Sequence, residues 1–224
     1  MCHAALKQRA EIPASAKCLR RLRQVVILAD NLHTRYPLAP KATVYRADLQ
    51  ISDMDRNYYA SHILTLAQHP SETVERLMVR LLAFALNAHE FLTFGKGLSD
   101  ENEPDLWQKD LTGTIDVWIE IGQPDDQRIR QACGRARQVI VYSYSGRSAE
   151  IWWEKIAPAL ERSKNLSVID LPATCVQQIA TLANRNMQLQ CLIQDGQIQL
   201  MSDDVTVDIE LVMRRLPISM QQNR

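Results

Sequence analysis

The stretch Thr114-Ile115-Asp116-Val117-Trp118-Ile119-Glu120-Ile121-Gly122 alternates without a break. Successive side chains on a strand point to opposite faces, so Ile115, Val117, Ile119 and Ile121 share one face and must meet an apolar layer. Asp116, Trp118, Glu120 and Gly122 share the other. The two acids of that face stand about 13 Å apart, at roughly 3.3 Å per residue, too far to serve one ion easily. Glu120 lies near the strand end beside the open space of Gly122, whereas Asp116 reads as a solvated position. Upstream, Pro104 fixes the entry of another strand, Asp105–Lys109, and so holds Asp105 in place while Glu101 and Glu103 stay loose. Downstream, Asp125–Arg137 reads as a helix and Gln138–Tyr144 as a buried strand.

Working outward, Val44–Asp53 and Tyr58–Ala67 form a hairpin around the turn Asp53–Asn57. Ser71 caps a helix running to about Ala88. With Glu75 set at 0° and 100° per residue, Val79, Leu82 and Leu86 fall close to it, while Arg76, Arg80 and Asn87 gather on the wet side. Glu75 therefore sits inside the apolar stripe, either as a functional acid or as a buried acid paired with an arginine. Glu72 complements the helix dipole from the first turn. Phe91–Leu98 is a short strand, Ser148–Arg162 a helix, Leu166–Asp170 a strand and Ala173–Asn184 a helix. Strands at Leu189–Ile193, Gln197–Met201 and Val205–Val212 close the chain, the first two joined by an Asp195-Gly196 turn. The class is α/β (α+β): a mixed sheet flanked by helices, with an added N-terminal hairpin and C-terminal strands.

The 224 residues balance 26 basic against 26 acidic side chains, which argues against a polycation that clings to nucleic acid everywhere. Residues 1–40 carry seven basic and two acidic residues, a net of +5, so the remainder carries −5. Residues 1–39 read as a basic, disordered extension or an upstream start, residues 40–216 as the domain and 217–224 as a tail. No apolar run reaches the roughly 18 residues of a membrane span. The cysteines are five, an odd number without close pairs, and fit a reducing cytoplasm. His62, His69 and His89 lack metal spacing, Cys133 is a small core residue, and one of Trp152 and Trp153 packs inside. Gly146-Arg147-Ser148 reads as a tight turn with Ser148 as helix cap.

A helix bearing Glu75, then a meander with Pro104-Asp105 opening its second strand and Glu120 ending its third, is similar to the core of the PD-(D/E)xK nucleases, restriction-endonuclease-like in fold. More closely, Lys41 to about Leu216 resembles the bacterial YaeQ family. Lys41–Arg56, His69–Phe84, Gly97–Trp107, Asp110–Asp125 and Ala132–Ala136 carry that resemblance, and residues 1–40 have no counterpart in it. It implies metal-assisted phosphodiester hydrolysis, with Glu75, Asp105 and Glu120 holding Mg²⁺ or Mn²⁺ through hard oxygens. The lysine expected two residues after Glu120 is Gly122; Gln123 is the nearest polar group, able to orient water but not to supply charge. Lys109, Arg128 or Arg135 could fill the gap. A nucleic-acid footprint on an acidic domain needs local basic residues, for which Arg128, Arg135 and Arg147 are the candidates. The alternative is a catalytically silent relative that binds nucleic acid or protein.

Overall fold

The computed structural model describes residues 42–96, 98, 100 and 102–217. The expected extension over residues 1–39 and the tail from 218 onward lie outside them. Strands β1 (Thr43–Asp53) and β2 (Tyr58–Gln68) pair antiparallel from Thr43 opposite Gln68 to Asp53 opposite Tyr58. The Asp53 carboxylate closes the turn by accepting the Arg56 backbone N–H at 2.9 Å. Helix α1 (Val74–Leu86) is capped by Thr73, which accepts the Arg76 N–H at 3.2 Å, and not by Ser71. Ser71 is engaged instead with the His69 ring at 2.6 Å.

Next come β3 (Leu92–Phe94), β4 (Leu106–Lys109) and β5 (Ile115–Ile121). Strand β3 is shorter than the periodicity suggests. Its run ends at Gly95, which passes so near the Pro104 carbonyl that a Cβ would lie 2.1 Å from its oxygen. Asp125 caps α2 (Asp126–Arg135) by accepting the Arg128 N–H at 2.7 Å. Strand β6 (Ala136–Tyr144) leads to α3 (Arg147–Ile156), extended by a 3-10 turn over Ala157–Leu160. Gly146 stands at the α3 cap with φ +56° and no side chain closes that end, so Ser148 is not the cap. Strand β7 (Leu166–Leu171), α4 (Ala173–Thr181), β8 (Asn186–Gln194) and β9 (Gln197–Met201) follow. The single strand expected over Val205–Val212 is two, β10 (Thr206–Ile209) and β11 (Val212–Arg215), which join different sheets.

Two mixed sheets result. The larger runs β3-β4-β5-β6-β7-β11, with β5, β6 and β7 parallel to one another and the outer strands antiparallel. The smaller runs β2-β1-β8-β9-β10. The additions at the two ends of the domain thus form one sheet of their own, joined where β1 and β8 pair in parallel from Arg46 opposite Asn186 to Asp53 opposite Ile193.

One core gathers side chains from both sheets with α1 and α4: Leu49 and Ile51, Ile119 and Ile121, Leu171, Ile179 and Leu189 among them. A second lies on the other face of the larger sheet, where Trp118, Val139 and Val141 meet Ile129, Trp152, Ile156 and Leu160. Buried on both faces, β7 reads as a continuous apolar run around one serine and one aspartate. Helix α1 is buried on every side from Leu77 to Ala85, Arg80 included, at 5% exposure. The wet side expected for Arg76 and Arg80 does not exist. A helix enclosed in the core must bury its arginines, and it can do so only because carboxylates meet them.

Candidate functional site: a cleft of paired arginines and carboxylates

Leu106 of β4 pairs with Ile119 of β5, so Asp105, one step earlier, stands across from Glu120. Pro104 has spent its φ freedom, and the Asp105 N–H donates to the Ile119 carbonyl at 3.1 Å. The Asp105 side chain continues the ladder: its Oδ2 accepts the Ile121 N–H at 2.8 Å. Asp105 and Glu120 are 2% and 3% exposed, so each carboxylate needs partners.

Both find arginines. Arg76 Nη2 donates to Asp105 Oδ1 at 2.7 Å and leans toward the Ile121 carbonyl at 3.4 Å. Its Nη1 donates to Glu72 Oε1 at 2.9 Å. Glu72 Oε2 then accepts Arg80 Nη2 at 3.1 Å. The charges alternate along this line: Arg80, Glu72, Arg76, Asp105. Glu120 Oε1 accepts Trp118 Nε1 at 2.7 Å and Arg128 Nε at 2.9 Å. Arg128 Nη2 donates to the Glu103 carbonyl at 2.9 Å.

These groups border a cleft of about 450 Å³, lined by Arg76, Asp105, Glu120, Gln123, Arg128 and Tyr144 among others. Burial pushes the Glu120 carboxyl above its ordinary range, opposed by Arg128 and by the Trp118 hydrogen bond. For Arg76, burial pulls the other way but Asp105 and Glu72 outweigh it, so the guanidinium is held more firmly charged than usual. Burial lowers Arg80 despite Glu72. It also raises Tyr144 at the cleft wall, partly offset by Arg76.

Of the expected site residues, the fold brings Asp105, Glu120, Gln123 and Arg128 to one cleft. Glu75 does not line it. This half-buried acid neighbours Arg76 on α1, lies within electrostatic reach of Tyr144 and makes no hydrogen bond among the described residues. Gln123 faces Ser148, donating from Nε2 to its Oγ at 3.2 Å. Arg147 is exposed beside Ser148, and Arg135 is exposed in the last turn of α2. Lys109 stacks over Trp107, 3.2 Å from the ring centroid, so among the three cations considered for the Gly122 gap, Arg128 is the one lining the cleft. Gly122 itself has φ +107°. Among the described residues, no three His, Cys, Asp or Glu converge as a metal-holding set. The residues missed were Glu72 and Arg76. Their signal was the Glu72, Arg76, Arg80 spacing of four, a carboxylate just before the helix cap followed by two guanidiniums one turn apart on α1.

Among the described residues, fold and site together define a mixed α/β protein of two sheets and four α-helices, with an arginine–carboxylate cleft where β4 opens and β5 ends. No helix among the described residues is long and apolar enough to cross a membrane. The chain belongs to the YaeQ family, whose description, YaeQ protein, matches residues 38–211. It is 43% identical over 180 residues to the uncharacterised YaeQ protein of Salmonella typhi, covering 80% of this chain and 99% of that one. To its Escherichia coli K12 counterpart, also uncharacterised, it is 41% identical with the same coverage. The crystal structure of YaeQ from Xanthomonas axonopodis pv. citri superposes with a TM-score of 0.76 at 53% identity, over 79% of this chain and 99% of that one. YaeQ from Pseudomonas syringae gives 0.75 at 34% identity, over 79% and 98%.

Proposed function

We propose that the cleft is the phosphodiester site of a nuclease-like protein, with Mg²⁺ or Mn²⁺ carried by Asp105 and Glu120. One observation supports this above the others: two buried strand carboxylates face each other across β4 and β5 at the border of an open cleft. Whether such an ion fits is judged by what the oxygens already receive. Asp105 and the Ile121 carbonyl already receive the Arg76 guanidinium, and Glu120 receives that of Arg128, so an entering ion would have to displace them. These oxygens are hard donors, of the type Mg²⁺ and Mn²⁺ prefer. The oxygens fit the ion in kind, but the carboxylates do not converge as a metal-holding set among the described residues. Glu75, outside the lining, would complete the set only by approach from α1.

Once bound, such an ion would stabilise charge on a phosphate and lower the pKa of an attacking water. The chain's own groups do the rest. Arg76 and Arg128 present planar guanidiniums suited to phosphate oxygens. Gln123 can position a water through its amide, supplying no charge. The test is cleavage of single-stranded, duplex and structured substrates with Mg²⁺ or Mn²⁺. Turnover should need the ion and vanish in Asp105→Asn and Glu120→Gln.

A second reading, a silent relative that binds nucleic acid, is favoured by Gly122, whose φ of +107° leaves the expected lysine position without a side chain. Charge reversal at Arg128, Arg135 and Arg147 should then weaken binding and flatten its salt dependence. Unchanged affinity and slope would remove that footprint.

A further inference from the structure

We infer that another cavity, between the end of β2 and the segment following β3, binds a small monocarboxylate with an apolar body. About 330 Å³ in volume, it is lined by Thr65, Leu66, Ala67, His69, Arg80 and Phe94 among others. None of Asp105, Glu120 and Arg128 lines it, so its occupant is independent of the nuclease reading. The cation in its wall is unfinished. A guanidinium carries five N–H hydrogens. Arg80 Nη2 spends its pair on Glu72 Oε2 and on the Ala67 carbonyl, each at 3.1 Å. Nε is enclosed without a partner; Nη1 has none among the described residues and is not enclosed. Arg80 is only 5% exposed, so bulk water reaches little of it. Burial lowers its pKa despite Glu72 and Asp105, which marks a charge under-compensated where it stands.

The other polar groups of the lining complete the case for an anion. His69 Nδ1 accepts the Ser71 N–H at 3.2 Å, which leaves the ring proton on Nε2, a donor with no partner among the described residues. Glu72 is the acid in the lining, and its oxygens are taken: Oε1 by Arg76, Oε2 by Arg80 and the His69 N–H. An occupant must therefore bring acceptors. The spare charge it meets is single, because Lys96 Nζ is held by Asp100 and Glu103 at 3.3 and 3.1 Å. A phosphate dianion asks for more; a carboxylate matches. Leu66, Ala67 and Phe94 offer apolar wall to the rest of the ligand.

The test is titration of the full chain with benzoate and with hexanoate, followed by two-dimensional amide NMR. Saturable shifts should concentrate at the N–H groups of Thr65–Ala67, Phe94 and Gly95, and inorganic phosphate at matched ionic strength should not produce them. Arg80→Met should weaken binding by about tenfold or more, since a charge-assisted hydrogen bond is lost. Arg80→Lys, which keeps a charge for Glu72, serves where Arg80→Met does not fold. Its ammonium, tied to Glu72, lacks the spare donors of the guanidinium and should weaken binding by about the same factor. Absence of saturable shifts in wild type would mean that water alone answers these donors, and overturns the site. Shifts centred on Gln123 and Arg128, or unchanged affinity in a folded Arg80 variant, overturn it equally. Phosphate binding as tightly as benzoate overturns the carboxylate assignment.

Discussion

Glu72 and Glu75 lie three residues apart at the start of α1, and the fold gives them opposite circumstances. Glu72 is the carboxylate on which the guanidiniums of Arg76 and Arg80 converge; among the described residues Glu75 has none. Glu72→Gln should therefore destabilise by roughly 3 kcal/mol or more, because it leaves Arg76 and Arg80 under-compensated inside the protein. Glu75→Gln should stay within about 0.5 kcal/mol of wild type. Urea titration of the two variants checks the contrast, and similar losses would mean that Glu75 pairs where the geometry says it does not. Glu120 offers a pH signature. Burial raises its folded pKa above the unfolded one, so its contribution is full at low pH and declines as pH rises through the interval between those values. At neutral pH the ionised group is a cost, so Glu120→Gln should raise the Tm there. The Tm gain of the variant should be present at pH 7 and shrink on acidification through that interval. No gain at pH 7 would show that Arg128 fully compensates the charge, and a gain independent of pH would show that it does not come from the charge.

The alternation of Thr114–Gly122 locates β5 to within one residue of each end, and Glu120 stands out because it lies near the strand end beside the open space of Gly122. Asp105 was legible for a similar reason, since a proline had to aim it. What alternation cannot report is backbone sign. Gly122 looked like a missing lysine, yet at φ +107° it is a position that L side chains rarely adopt. A Cβ there meets nothing within 4 Å, so the obstacle is conformational and not steric crowding. Gly122→Lys should thus lose about 1–3 kcal/mol, and Gly122→Ala about the same, with no activity gained from the added charge. Equal stability of all three proteins, by thermal melting, would show that the loop relaxes freely. Helix α1 was the element least legible. Its pattern gave an apolar stripe and a polar back, but the back is covered by the rest of the core, and coverage is decided by distant segments.

At the scale of the whole domain, the smaller sheet is what sequence order hides most. Each hairpin was visible locally; that they share one sheet depends on the parallel pairing of β1 with β8, which no short-range signal announces. Removing residues 185–210, which leaves β11 to the larger sheet, should leave one edge of β1 without its neighbour β8 and abolish cooperative thermal unfolding. A truncated chain that still melts in one sharp transition would place the structural weight in the larger sheet alone. The turn contacts repeat the pattern: Asp55, beside the first hairpin, accepts the N–H groups of Asp195 and Gly196, 140 and 141 residues later. A chain growing on the ribosome at about 5–20 residues per second would need roughly 7–30 s to supply that second half. For that interval Ala47, Leu49 and Ile51 have β2 on one side and no β8 on the other. The newborn hairpin is a natural client for a holding chaperone, and its birth, not its mature form, is when this protein is most exposed to misassembly.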